Sequence, residues 1–274
     1  MIEKLAIISV TYNNYPLLED FLASLKKQKN KSFHLFLTDL STQKQSIEQD
    51  GVSISVLKKE NRGYAYGVNN GLKQALIEGF EKFCIINDDT YFRPDFVDRI
   101  FSSLSLHPSA VIGGKIYYAP GYEYHKERYQ KSELGKVIWY AGGAIDWSHM
   151  ITPHRGVDEI DQGQYDTVQQ TSFITGCLVV FDRQVIDTVG FWNETYFLTY
   201  EDVDFSIRAA RKSIALYYDP SLVIWHKVSQ STGGSGSLTH KKYLTRNQVR
   251  VGLKYAPLKT KLHLLKNYLL GFLK

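Results

Sequence analysis

The chain lacks several features that would place it quickly. It has only two cysteines in 274 residues, Cys84 and Cys177, each inside an apolar stretch and neither in a CxxC pair. A disulfide framework is therefore excluded, and buried free thiols suited to a reducing cytoplasm are expected. No apolar run approaches the length of a membrane-spanning helix. The run at residues 5–10 is too short for a signal peptide and is followed at once by Thr11-Tyr12-Asn13-Asn14. A cytoplasmic enzyme is expected, soluble or peripheral on the inner face of the cell membrane. Charge of one sign is scarce overall: 33 Lys and Arg against 28 Asp and Glu leave +5, too little to imply nucleic acid. Walker-A lysine spacing is absent, and Gly63, Gly67 and Gly71 do not make GxGxxG. There is no internal repeat.

The content that remains, 43% hydrophobic and 14% aromatic, is ample for a packed core. The first half alternates short apolar runs with helical patterns. Strands are expected at 5–10, 33–38, 52–57 and 83–86. Helices are expected from Pro16 through Leu25, from Val68 through Leu76, and from Pro94 through Leu104. This βαβα rhythm implies a parallel sheet covered by helices, with ligands bound beyond the carboxyl ends of the strands. Thr11, Asp39, Arg62, Asp88 and Asp89 all fall at or just after such ends. Residues 117–165 are rich in Tyr, Gly and His and look like sheet edges and loops. Further on, a strand at 172–181, helices from Arg183 and from Glu201, and a strand at 222–225 ending at His226 are expected. Residues 229–237 form a Gly/Ser-rich flexible segment, and Pro257 separates two final helices.

Three groups of side chains could carry chemistry. The apolar run Phe83-Cys84-Ile85-Ile86 leads into Asn87-Asp88-Asp89. Adjacent carboxylates repel, and a hard divalent cation relieves that repulsion while sharing its oxygens with phosphates. An Asx-capped turn before Pro94 also accommodates them. Asp39 could accept a hydrogen bond from a nucleobase N–H, or serve as a plain turn residue. Backbone amides between Gly63 and Gly71, with Arg62, could face a diphosphate. Glu201-Asp202-Val203-Asp204 opens a helix, where acids suit the dipole. One cap needs one acid, however, and three lie here after the aromatic run 196–200. A carboxylate beside such a cleft is a plausible general base. His226 could ligate a metal through a neutral imidazole.

These segments, in order over residues 5–226, resemble the family 2 glycosyltransferases, especially the rhamnosyltransferase-like bacterial polysaccharide group. The matching motifs are Val10-Thr11-Tyr12-Asn13, Thr38-Asp39-Leu40-Ser41, Asn61-Arg62-Gly63-Tyr64-Ala65-Tyr66-Gly67, Asn87-Asp88-Asp89, Thr175-Gly176-Cys177 and the stretch from Gly190-Phe191 to Asp204. The resemblance implies an α/β fold of the A type: a mostly parallel, Rossmann-like nucleotide-binding sheet flanked by helices, with a C-terminal helical extension. It implies an inverting, single-displacement transfer from a dTDP- or UDP-sugar to a saccharide acceptor, lipid-linked in many relatives, with Mn2+ or Mg2+. It assigns Thr11, Tyr12, Asn13, Asp39, Arg62 and Asp88 to the nucleotide, Asp89 and His226 to the metal, and Asp202, supported by Glu201, to acceptor deprotonation. One departure is that Asn87 stands where the motif usually opens with Asp. The helix dipole is expected to keep the Asp202 pKa low.

The expected division is 1–228 for the catalytic domain (1–115 nucleotide-binding, 116–228 acceptor-binding) and 229–274 for the extension. Residues 241–274 hold nine Lys and Arg and no acid, so the remaining chain carries 24 basic against 28 acidic residues. Such basic amphipathic helices suit an anionic membrane surface, or packing on the catalytic domain or on a second copy in a homodimer. Two other functions share parts of this pattern. A sugar nucleotidyltransferase would open with a glycine-rich loop carrying Arg and Lys, which residues 10–14 do not offer. A non-catalytic nucleotide-sugar-binding protein would have no need of Glu201-Asp202.

Overall fold

The computed structural model describes residues 4–47, 51–228 and 238–271. The Gly/Ser-rich segment 229–237 lies outside them. Strand β1 (Leu5–Thr11) is buried along its whole length, as expected of a strand covered on both faces. Leu5 and Ile7 enter one apolar cluster while Ala6 and Ile8 enter the other. Strand β2 (Phe33–Asp39) pairs with it in parallel, with Thr11 opposite Asp39. Strands β3 (Ile54–Lys58) and β4 (Lys82–Ile86) extend this parallel set on either side. Helices α1 (Tyr15–Lys26) and α3 (Phe96–Leu106) cover one face, placing Phe21, Leu25, Phe96 and Ile100 in its core. Helix α2 (Tyr64–Ile77) covers the other, with Val68 and Leu72. Gly67 and Gly71 let α2 press onto β1: an added Cβ would stand 2.8 Å from Val10 and 2.7 Å from Ile8. Two of the three glycines considered for a phosphate cradle therefore serve helix–strand packing.

Beyond β4 the sheet becomes mixed. Its order is β3-β2-β1-β4-β9-β6-β10-β5, with β5 (Thr90–Phe92), β6 (Val111–Tyr118), β9 (Leu178–Asp182) and β10 (Leu216–His226). Strand β9 runs antiparallel to both β4 and β6, while β6 and β10 are parallel. Two short strands, β7 (Ile138–Tyr140) and β8 (Gln169–Gln170), pair with β6 and β10. The parallel expectation thus holds within β3-β2-β1-β4 and for β6 with β10. Only the end of the strand expected at 172–181 is regular; residues before Leu178 form a turn at the site edge. Strand β6 hides its identity behind Gly113 and Gly114. A Cβ on Gly114 would lie 2.2 Å from the Leu222 carbonyl, where β10 bulges between Asp219 and Val223.

Helices α4 (Arg183–Val189) and α5 (Glu201–Arg211) follow, one almost immediately after β9 and the other after an aromatic loop. The extension forms α6 (Leu238–Tyr255) and α7 (Leu258–Leu269) on either side of Pro257. Val251 and Leu264 are buried in the same core as Tyr140, Met150 and Tyr200. The extension is therefore packed onto the catalytic body, at least through α6 and one face of α7. No helix among the described residues is long and apolar enough to cross a membrane.

Candidate active site

The carboxyl ends of β1, β4 and β10 and the entry to β9 open into one cleft of about 690 Å3, lined among others by Tyr12, Asp88, Asp89, Gly176, Asp202 and His226. Its size is that of a small-molecule site. The antiparallel β9 brings the cleft together. Because Leu178 pairs with Ile86, the residues before β9 stand against those after β4. Asn87 N–H donates to the Cys177 carbonyl at 3.1 Å. The Tyr64 hydroxyl lies 3.0 Å from both Asn87 Oδ1 and the Gly176 carbonyl. Asn87 thus places its acceptor oxygen on a phenol.

Asp88 and Asp89 are 5% and 3% exposed. Burial, reinforced by the Asp89 charge, pushes the Asp88 carboxyl up to about 8, with the Thr11 hydroxyl working the other way. Asp89 Oδ1 lies 3.1 Å from His226 Nε2. Burial alone would lower the His226 pKa, but Cys177 and the Asp89 carboxylate outweigh it and hold the ring well above its usual value. Asp88 Oδ2 and His226 Nδ1 are buried without a hydrogen-bond partner, which ordinarily costs a buried polar group ~1–3 kcal/mol.

These groups fit a hard divalent cation. Two ligand atoms at about 2.1 Å from an octahedral ion and at right angles to one another stand about 3.0 Å apart, close to the Asp89–His226 spacing. Among the described residues no group of three or more His, Cys, Asp or Glu makes a metal cage. Such an ion would take its remaining ligands from elsewhere, as phosphate oxygens do for Mg2+.

Asp202 is reached from the other side of the β9 entry. Gly176 N–H donates to its Oδ2 at 2.8 Å and Val203 N–H to its Oδ1 at 2.8 Å. The expectation of a low Asp202 pKa is corrected here. Although the cleft leaves part of Asp202 open, the surrounding protein excludes enough water to raise its carboxyl to about 6. Burial outweighs the two amide bonds and the helix N-terminus. Glu201 is 6% exposed, with Oε2 unpartnered. Burial and then the Asp202 charge drive its pKa well above the usual carboxylate range, toward the neutral form. Asp204 is spent differently. Burial opposes its charge, but Arg208 at 2.7 Å, the Tyr255 hydroxyl at 2.7 Å and Lys254 at 2.9 Å hold its pKa low. None of the three acids caps α5: its N-cap residue is Tyr200, with no side-chain cap.

Thr199 and Tyr200, just before α5, have φ of 65° and 69°. Such backbone costs on the order of 1–3 kcal/mol per non-glycine residue, and a β-branched Thr is poorly suited to it. The turn is held by the Tyr200 hydroxyl on the Met150 carbonyl, 2.7 Å, and by Asn247, whose Nδ2 donates to the Leu198 and Thr199 carbonyls at 2.8 and 3.0 Å.

The nucleotide-assigned residues are only partly together. Tyr12 lines the cleft with Leu40, Asn61 and Gly63. Thr11 and Asp39 are fully buried behind that wall. Asp39 Oδ2 accepts from the Tyr15 hydroxyl at 2.9 Å and its Oδ1 from Ser41 N–H at 2.9 Å. Asn13, at φ 53°, accepts from Thr42 N–H. Arg62 is exposed, its guanidinium over the Tyr66 ring. Tyr64, Trp139, His154 and Leu244, which also line the cleft, were not singled out from sequence. Tyr64 lay inside a recognised motif, whereas nothing local marks the other three.

The chain's similarities agree with this geometry. The model of glycosyl transferase family 2 matches residues 6–190, more than half the chain, and the chain belongs to that family. It is 24% identical over 247 residues to the N-acetylglucosaminyl-diphospho-decaprenol L-rhamnosyltransferase of Mycobacterium tuberculosis, covering 85% of this chain and 79% of that one. It is also 24% identical over 245 residues to the poly-beta-1,6-N-acetyl-D-glucosamine synthase of Staphylococcus aureus, covering 85% and 52%. Among solved structures, GalNAc-T7 with UDP, GalNAc and Mn2+ aligns with a TM-score of 0.66 at 13% identity, over 92% of this chain and about half, 48%, of that one. A mannosyltransferase from Pyrobaculum calidifontis in complex with GDP-Man and Mn2+ aligns with a TM-score of 0.53 at 15% identity, over 96% and 69%. The fold is that of the A-type glycosyltransferases.

Because the Asp88 carboxyl titrates near 8 when folded and near 3.8 when unfolded, its ionisation opposes folding increasingly as pH rises between those values. Asp88→Asn should raise the unfolding free energy at pH 8 in EDTA by about 1 to 5 kcal/mol, the upper end being the full linkage between a pKa of 3.8 and one of about 8. Its advantage should shrink toward pH 5. A variant less stable than wild type at pH 8 contradicts the assignment.

Proposed function

We propose that this glycosyltransferase moves a sugar, with inversion, from a nucleoside-diphosphate donor to a saccharide acceptor in bacterial cell-surface polysaccharide synthesis. The observation that carries the proposal is the pairing, in one cleft, of a buried carboxylate–imidazole contact at Asp89 and His226 with a carboxylate at Asp202 fixed by the Gly176 amide in the turn that enters β9. In this scheme Asp89 and His226 hold a divalent cation, which when bound neutralises charge on the leaving diphosphate. Asp88 stands at the ribose side, and Tyr12 and the wall backed by Thr11 and Asp39 take the base, with Asn13 shaping the loop and Arg62 at the rim. Asp202 accepts the proton of the attacking hydroxyl. A base near pKa 6 is ionised at neutral pH yet more basic than an ordinary aspartate. Glu201, driven by burial toward its neutral form, limits a second negative charge beside the base.

The relatives guide the substrate choice. The mycobacterial relative is named for L-rhamnosyl transfer onto a diphospho-decaprenol acceptor, which favours dTDP-rhamnose and a lipid-linked saccharide; UDP-hexoses are the alternative donors. A membrane-surface role fits α7. Leu258, Leu262, Leu265 and Leu269 recur on one face and are 73%, 61%, 42% and 74% exposed, with Lys259, Lys261 and Lys266 on the same helix and no acid.

A sugar-transfer assay with dTDP-rhamnose and UDP-sugars should give turnover that falls below pH about 6 as Asp202 gains its proton. Asp202→Asn should lower turnover at least ~100-fold with donor affinity within about twofold. Near-normal turnover in that variant rejects Asp202 as the base. In co-sedimentation, the protein should bind phosphatidylglycerol vesicles but not phosphatidylcholine vesicles, and Leu262→Asp should weaken the binding. Absence of binding to the anionic vesicles rejects the membrane role.

A further inference from the structure

Helix α6 lies outside the region matched by the family model, yet it touches the loop that aims Asp202 at several points. Asn247 is 1% exposed and both its bonds go to carbonyls of the strained turn, Leu198 at 2.8 Å and Thr199 at 3.0 Å. Tyr243 stacks on Phe197 with ring centroids 5.1 Å apart. Arg250 donates to the Thr195 carbonyl at 3.1 Å. One turn further on, Lys254 and Tyr255 hold Asp204 on α5 itself. On its inner side the same loop rests on the start of α2, where the Phe197 carbonyl accepts from Tyr64 N–H at 3.0 Å. Gly63, at φ 103°, leaves room: a Cβ there would lie 2.5 Å from the Phe197 oxygen.

We infer that α6 is part of the catalytic apparatus, with Asn247 the positioning residue that keeps Thr199 and Tyr200 left-handed and so holds the Asp202 carboxylate against Gly176. Left-handed backbone at two successive non-glycine residues does not persist unless its surroundings enforce it. The carbonyls of such a turn point away from the ladder of α5, and a buried primary amide with two donors matches two adjacent carbonyls. A side chain of similar size without donors would leave both unpaired. The turn would then relax toward ordinary backbone, and Asp202, two residues beyond Tyr200, would leave its place. Asn247 itself touches no reacting atom. The inference rests on Asp202 as the base for its functional meaning, but the clamp can be measured without any substrate.

Hydrogen exchange resolved by residue in wild type and Asn247→Leu is the test. The Gly176 and Val203 amides, which both donate to Asp202, should exchange at least tenfold faster in the variant, while amides within β2 such as Leu35 and Leu37 keep their rates. Asn247→Ser, which shortens the side chain and keeps it polar, should give the same pattern and serves if the Leu variant does not fold. Where transfer is measurable, turnover should fall at least tenfold with donor affinity within twofold. Unchanged exchange at Gly176 and Val203, or equal acceleration throughout the sheet, overturns the clamp. A clamp confirmed by exchange with unchanged turnover overturns its catalytic meaning, and with it Asp202 as the base.

Discussion

The site depends on one strand running the wrong way. In a wholly parallel sheet the neighbour of β4 would present its amino end at the far edge, and the cleft would collect only carboxyl ends. Strand β9 enters antiparallel beside β4, so the backbone groups of its entry turn stand among the side chains that end β4. The Cys177 carbonyl takes the Asn87 amide, the Gly176 carbonyl takes the Tyr64 hydroxyl, and the Gly176 amide holds Asp202. Gly176 also lets Trp192 and Asp202 pack close, since an added Cβ would meet them at 3.3 and 3.4 Å. One three-residue turn thus ties the proposed metal side to the proposed base.

Around that turn, burial assigns different protonation states to chemically similar groups. Asp88 and Glu201 are driven toward their neutral forms, whereas Asp204 is kept charged by Arg208, Tyr255 and Lys254. Asp202 falls between, because two backbone amides partly offset its loss of solvent. Asn87 follows the same logic: a third carboxylate beside Asp88 and Asp89 would add repulsion, while an amide oxygen satisfies Tyr64.

Much of this was legible in the chain. The strand ends at Thr11, Asp39 and Asp88, the helices from Arg183 and Glu201, and the break at Pro257 follow from periodicity and punctuation. What escaped depended on distant partners. Strand β6 carries two glycines whose need appears only when β10 bulges over Gly114. The helix dipole argued for an acidic Asp202, but the decisive solvent exclusion comes from residues far away in sequence. Asn247 looks like any polar residue of an amphipathic helix until α6 is laid against the turn before α5. Asp39 is correctly at a strand end, yet Tyr15 and Ser41 occupy its oxygens.

The proposed scheme turns on Asp89 and His226 holding a divalent ion that the donor's diphosphate completes. Calorimetric titration of dTDP and UDP into wild type and Asp89→Ala, each with and without Mn2+, tests this directly. Mn2+ should tighten binding of at least one nucleotide tenfold or more in wild type, about 1.4 kcal/mol, and leave Asp89→Ala unchanged. Equal affinity with and without Mn2+ in wild type, or the same gain in both proteins, would contradict it.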